Sequence, residues 1–344
     1  MVYDIIIVGG SAIGLFLAKE FASQGKSVLV LERNKKIGQK ACSGLLSFNV
    51  FNYFSEKELE GLIERKIKGA NLWIEDQPLF FKGKALVINR RSFDNYLFQK
   101  ALGKGALVLL DKEVISFKEK NRLVEVLLRS GEVFKGKILA GCDGVNSTVA
   151  QEANFPVQKK KVFGVFTFEN KSPEKNDNFV DLFFSKKFPG FFAWRIPREE
   201  KIEWGLALNQ KQRPLEKLKK FLKKKNISFS FFQGAYIPSF PLKKTAKGRI
   251  FLCGDSAGQI KPYTGGGLIY GFECAKIAAK TITNFKNPNL QDYEKLWRKT
   301  LKKDILVGNF LRRCYFLPNF VKKTGLFLLQ KRKNIDQDKP SSIF

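Results

Sequence analysis

The first 33 residues constrain the fold more than anything that follows. Asp4-Ile5-Ile6-Ile7-Val8-Gly9 is a short apolar run, Gly10-Ser11-Ala12-Ile13-Gly14 interrupts it, and from Leu15 apolar residues recur at helical spacing until Gly25. Val28-Leu29-Val30-Leu31 then reads as a second buried strand ending at Glu32 and Arg33. Strand, turn, helix and strand within about 30 residues make a parallel βαβ unit. A parallel sheet must be covered on both faces, so an α/β domain is expected.

Composition limits the chemistry available to that domain. The 344 residues contain no His, which excludes Ser-His and Cys-His catalysis and every His-ligated metal. Cys42, Cys142, Cys253, Cys274 and Cys314 form no C-x-x-C pair, so neither a disulfide framework nor a metal site is expected. The chemistry therefore needs a borrowed reagent. A net charge of +30 suits phosphates, an anionic lipid surface or nucleic acid. No run of about 18 apolar residues is present, and MVYDIIIVGG lacks a basic n-region, so a cytoplasmic protein is expected.

The turn after the first strand suits a dinucleotide. In the G-x-G-x-x-G register Gly9 permits a tight turn and Gly14 lets helix and sheet approach, while Ser11 takes the place of the middle glycine. A pyrophosphate would rest on backbone N–H groups at the helix N-terminus. Glu32, with Arg33 beside it, stands where the adenosine ribose hydroxyls are bound. Further on come strand-turn segments at Asp143-Gly144 and Gly254-Asp255, then a Gly-rich loop, Pro262-Tyr263-Thr264-Gly265-Gly266-Gly267, opening a helix at Leu268. Between them, residues 155–241 carry strands loaded with Phe and Trp, including Phe166, Phe192, Trp194 and Trp204. The expected organisation is a cofactor domain from 1–154 and 242–290, a substrate domain from 155–241 built on a mixed or antiparallel sheet, and a basic helical tail from 291–344. Helix 214–225 is expected to bury Leu215, Leu218 and Phe221 or Leu222.

Taken together these spacings resemble the hydroxylase branch of the glutathione-reductase-like flavoproteins, in which a Rossmann-type domain wraps FAD. The resemblance implies that Asp255 binds the ribitol chain and that Arg90, in INRRSFDNYL, lies close to the flavin. It extends the FAD contacts to Cys42, Ser43, Gly44, Asp143, Gly144, Gly254, Pro262, Gly265, Gly266, Gly267 and Leu268. Bare N–H groups at the three glycines, with a helix dipole behind them, suit the anion of a reduced flavin.

Three segments narrow the resemblance to the geranylgeranyl reductase family: KACSGLLS at 40–47, GFFAWRIP at 190–197 and GDSAGQIKPYTGGGLIYG at 254–271. That family saturates isoprenoid C=C bonds. The resemblance implies hydride from flavin N5, an apolar cavity at Phe166, Phe192, Trp194 and Trp204, and a proton from Cys42, Tyr263 or a held water. Its departures are Phe192 where Tyr is usual, Ile196 where Phe is usual and Tyr263 in place of a common Thr. Electrons are expected from NAD(P)H or ferredoxin. The aromatic residues of the basic tail, Trp297, Phe310, Phe316, Phe320 and Phe327, are expected either to cap the cofactor domain or to lie on an anionic membrane surface. Two alternatives share parts of the pattern: a flavin monooxygenase or halogenase of the same fold, because GFFAWRIP is similar to Trp-x-Trp-x-Ile-Pro, and a basic flavin-containing nucleic-acid-binding protein. Oligomeric state is not encoded in any of these features.

Overall fold

The computed structural model describes residues 1–156, 160–169, 171–330 and 336–343. The opening segment folds as expected: β1 (Val2–Val8), α1 (Ala12–Ala22) and β2 (Val28–Leu31), with β1 and β2 paired in parallel. The chain then leaves through β3 (Leu45–Ser47), the single-turn α2 (Glu56–Leu59) and a long ribbon of β4 (Ile63–Ile74) and β5 (Gln77–Ile88). It returns in α3 (Arg90–Gly103) and β6 (Leu107–Leu109), and a meander follows: β7 (Val114–Lys120), β8 (Leu123–Leu128) and β9 (Val133–Gly141). After α4 (Thr148–Glu152) come β10 (Lys161–Glu169), β11 (Phe179–Phe184), β12 (Ala193–Pro197), β13 (Ile202–Leu208), α5 (Pro214–Lys224) and β14 (Gln233–Pro238). The chain closes with β15 (Ala246–Lys247), β16 (Ile250–Leu252), α6 (Leu268–Thr281), α7 (Leu290–Cys314) and α8 (Asn319–Gln330).

Two eight-stranded sheets result. The first runs β15-β16-β9-β1-β2-β6, parallel from β16 to β6, with β7 and β8 appended to β9. Its central strands are apolar on both faces because α1, α3 and α6 cover one side and the β7–β8 meander lies over the other. The second runs β14-β10-β13-β12-β11-β4-β5-β3 and is antiparallel except where β11 meets β4.

The second sheet departs from the expected organisation, because β3, β4 and β5 from residues 45–88 complete it beside the strands of 155–241. The β4–β5 ribbon pairs with β11 through long-range backbone bonds that its own sequence does not announce. Helix α5 buries Leu218 and Leu222, whereas Leu215 is exposed, a correction to the expected stripe. The buried stripe runs through Pro214, Leu218 and Leu222 at a spacing of four, and Leu215, one residue on from Pro214, falls to the side of it.

The C-terminal helices divide into a docked part and an open part. The N-terminal half of α7 is core: Trp297 is 1% exposed, and its indole N–H donates to Thr245 Oγ1 at 3.0 Å. Glu294 on the same face accepts from the backbone N–H groups of Thr245 and Ala246. Trp297 therefore takes the capping alternative and is not available to a membrane surface. Replacing a buried Trp by Ala leaves a cavity that costs about 3–5 kcal/mol. Trp297→Ala should lower the unfolding free energy by that amount in denaturant titration. A change under ~0.5 kcal/mol, as expected of an exposed residue, would contradict this placement.

Candidate cofactor and active site

The cofactor end is set by backbone crowding. β1 ends at Val8, Gly9 turns with φ +107°, and a Cβ there would stand 2.5 Å from the Cys142 carbonyl oxygen. A Cβ on Gly14 would fall on the Gly9 carbonyl oxygen. Ser11 is the N-cap residue of α1, yet its side chain makes no capping bond, and the first turn holds no acidic residue. The amides of this N-terminus thus remain available to an anion. Glu32 is buried at the end of β2, where Oε2 accepts from the Gly10 N–H at 2.6 Å and Oε1 from the Asn34 N–H at 2.8 Å.

A groove of about 410 Å³ runs from this turn across the first sheet and reaches Gly234–Tyr236 of the second. Gly9, Ser11, Glu32, Arg33, Asp143, Gly144 and Asp255 all line it, so seven of the expected cofactor residues share one surface. Asp143 Oδ2 accepts from the Val149 N–H at 3.1 Å, but Asp143 Oδ1 is buried with no partner among the described residues. Burial pushes the Asp143 carboxyl above its ordinary range. A buried acceptor left open on a groove wall calls for a ligand donor. Asp255 lies at the far end, paired with Lys40 at 2.7 Å. The adjacent Asp255 carboxylate holds the Lys40 ammonium above its usual range.

The Gly-rich loop does not line this groove; it packs beside a buried aromatic cluster, the expected chamber. Its turn is closed by the Gly265 N–H donating to the Lys261 carbonyl at 2.8 Å and by the Lys261 N–H donating to the Gly266 carbonyl at 3.0 Å, so the Gly265 amide is engaged within the turn and is not the bare donor expected of all three glycines. Gly267 is the N-cap residue of α6, which starts at Leu268 without a side-chain cap; a Cβ on Gly267 would stand 2.7 Å from Asp255 Oδ1. A Cβ on Gly265 would touch Ile237 and Phe191. Phe191 stacks on Phe192 at 4.5 Å between centroids, and Phe166, Phe184, Phe192 and Trp194 share one buried cluster with Tyr315 and Leu326 of the C-terminal helices. Pro262 is held by its carbonyl, which accepts from Arg312 at 3.0 Å.

Trp204 does not join this chamber. It lies on the opposite face of the second sheet with Phe183 and Phe221, its indole N–H donating to Glu169 at 2.8 Å. Strand parity decides this. Along β13, Ile202, Trp204, Leu206 and Leu208 face one way while Glu203, Gly205 and Ala207 face the other. Gly205 is needed because the Trp194 ring occupies the space of a Cβ there.

The remaining expected residues flank the chamber. Arg90 is buried and forms a bidentate pair with Asp94 on the next helical turn, 2.9 Å at the closest. Burial opposes the Arg90 charge; Asp94 and then the Cys42 side chain reinforce it, leaving the guanidinium firmly protonated. Cys42 is half-buried beside it. Gly44 packs against the Ile88 carbonyl with φ +71°, and Gly254 adopts φ +75° with its N–H donating to Gln259 at 2.8 Å. The Tyr263 hydroxyl donates to the Gln337 carbonyl, so its proton is already engaged.

A buried network absent from the sequence-derived set joins these parts. Arg198 donates to the Ser43 carbonyl at 2.7 Å, to Glu203 at 2.7 Å, to Glu64 at 2.6 Å and to the Ile88 carbonyl at 3.2 Å. Glu203 in turn accepts from the Trp194 indole N–H at 2.9 Å. Burial raises the Glu203 carboxyl, an effect that Arg198 and the indole partly offset. One guanidinium thus fixes the Cys42-Ser43-Gly44 segment relative to the chamber wall. The available signal was Glu203 itself, a charge inside the wholly buried strand β13.

A family profile described as FAD binding domain matches residues 2–282. The chain belongs to that family. FAD is its cofactor, and the open N-terminus of α1, the unpartnered Asp143 oxygen and the Cβ-free turns fit such a ligand. A digeranylgeranylglycerophospholipid reductase of Methanocaldococcus jannaschii is 27% identical over 329 residues, covering 87% of this chain and 83% of the relative. A geranylgeranyl bacteriochlorophyll reductase-like structure from Thermoplasma acidophilum superposes with a TM-score of 0.87 at 19% identity, covering 99% of this chain and 95% of that one. The fold is also that of a flavin-dependent brominase, with a TM-score of 0.79 at 15% identity over 100% of this chain and 97% of that one. The resemblance to geranylgeranyl reductases, and the α/β fold with a C-terminal helical region that it implied, are borne out. Asp255→Ala should release FAD, leaving purified protein without the visible flavin band; a variant that stays fully yellow would contradict the role of Asp255.

Proposed function

We propose that this chain is an FAD-dependent reductase that saturates isoprenoid C=C bonds of geranylgeranyl chains in membrane lipids or prenyl phosphates. The observation that carries the proposal is the closeness of the cofactor loop to the aromatic cluster: a Cβ on Gly265 would stand 3.5 Å from the buried Phe191 ring. Bound FAD, once reduced, supplies a hydride. Gly9, Ser11, Gly14 and Glu32 would hold its adenosine and pyrophosphate end, Asp143 and Asp255 its middle, and the segments at Cys42–Gly44, Arg90 and Gly265–Leu268 its ring end.

The chain's own residues do the rest. An isoprene double bond is unactivated, and any positive charge developing on its tertiary carbon must be kept from water. Phe166, Phe184, Phe191, Phe192 and Trp194 form a wall that does this, with the Trp194 indole N–H turned to Glu203 rather than left as an unpaired donor. Of the two side chains considered as proton donors, Tyr263 is committed to Gln337, whereas Cys42 is half-buried beside Arg90. The test is anaerobic: reduce the FAD-loaded protein, add a geranylgeranyl-bearing phospholipid and follow flavin reoxidation with product mass. A gain of two hydrogens per double bond is expected. Oxygen-dependent hydroxylation or halogenation, or no mass gain with flavin intact, would contradict it.

The second half of α7 and α8 support an anionic bilayer as the place where such a substrate is met. Phe310, Phe316, Phe320 and Phe327 are 50–72% exposed and alternate with Lys302, Lys303, Arg313, Lys322 and Lys323, while Tyr315 and Leu326 on the other side pack against the chamber. No helix among the described residues is long and apolar enough to cross a membrane, so this arrangement suits a peripheral contact. Inserting a Phe contributes ~1.5–3 kcal/mol. Phe316→Ser with Phe320→Ser should therefore weaken co-sedimentation with anionic phospholipid vesicles at least about tenfold. Unchanged sedimentation would contradict the contact.

A further inference from the structure

The end of the chain returns to the cofactor loop. Asp338 is 4% exposed, in a protein whose net charge is +30, and each of its acceptors is filled by a different part of the fold. Its carboxylate accepts from Lys261 Nζ at 2.6 Å, from the Ser47 hydroxyl at the end of β3 and from Asn49 Nδ2 at 2.9 Å. Its backbone carbonyl accepts from the Tyr270 hydroxyl of α6 at 3.0 Å. The neighbouring Gln337 carbonyl takes the Tyr263 hydroxyl, and the Ser341 N–H donates to Asp304 of α7 at 3.0 Å.

Lys261 is the residue that closes the Gly-rich turn through both its N–H and its carbonyl. Its side chain is buried and runs beneath that turn, so that a Cβ on Gly266 would stand 2.7 Å from Lys261 Cε. The cation and its counter-ion thus lie on the inner side of the loop whose glycines are read as the flavin cradle. Taking away Asp338 leaves a buried, uncompensated positive charge there. Taking away Lys261 leaves the opposite charge.

We infer that residues 336–343 are a strap that clamps the cofactor loop, with Asp338 a positioning residue that acts through Lys261 to set the charge felt by the reduced cofactor. This rests on the cofactor reading above. A purely mechanical stitch would alter stability and affinity but would have no reason to change the redox balance in opposite senses when either partner is neutralised.

The experiment uses the full-length, FAD-loaded protein equilibrated with a redox dye of known potential. Asp338→Asn should favour reduced flavin and Lys261→Met should disfavour it. Each should change the reduced-to-oxidised ratio about tenfold at fixed poise, ~30 mV for a two-electron couple. The double variant should return to within about twofold of wild type, which keeps the test decisive if one single variant fails to fold. FAD dissociation constants should rise about tenfold in Asp338→Asn as the loop loosens. Shifts of the same sign in both single variants, or potentials unmoved with FAD bound, would overturn the strap's role alone. A wild-type chain that takes up no FAD would overturn the cofactor reading and the strap's role with it.

Discussion

The bare contact between Gly14 and the Gly9 carbonyl is the constraint on which the cofactor end depends. Any side chain at Gly14 would push α1 off the first sheet, and with it the uncapped amides that face the groove. Gly9 is equally restricted, since it turns against the Cys142 carbonyl just after β9. Three elements distant in sequence therefore meet with no side chain between them. Glu32 completes the arrangement from β2 by accepting from Gly10, which fixes the turn before any ligand arrives.

The second half of the site depends on how a polar groove is joined to an apolar chamber. The Gly265–Gly267 turn provides the join, with Asp255 next to Gly267 on one side and Phe191 next to Gly265 on the other. Charged groups are kept out of the chamber by being satisfied elsewhere: Glu203 by Arg198 and Trp194, Arg90 by Asp94, and Lys261 by Asp338. Leaving any of these buried charges unpaired would be costly.

How much of this was legible follows from what is local. The βαβ opening, the Asp143 and Asp255 turns and the Gly-rich loop are contiguous patterns, and seven of the residues they suggested line one groove. The aromatic wall was legible only in part. Phe and Trp content marked the sheet, but treating Trp204 like Trp194 ignored the alternation that sends neighbouring strand residues to opposite faces. The recruitment of β4 and β5, the partners of Arg198 and the return of Asp338 to Lys261 join residues as many as 155 positions apart, and no periodicity encodes such pairings. Trp297 illustrates the same limit: an amphipathic helix shows which residues share a face but not whether that face meets lipid or Thr245.

The central claim is that one FAD lies along the groove with its ring end against the aromatic chamber. The most direct test is a titration of oxidised, FAD-loaded protein with a non-reacting saturated polyprenyl chain, recording the flavin absorption spectrum. The account predicts a saturable, one-to-one perturbation of the visible bands as the chain displaces water beside the ring, and its loss in Phe192→Asp. Tight binding of the chain with an unaltered flavin spectrum would place the lipid elsewhere and contradict the account.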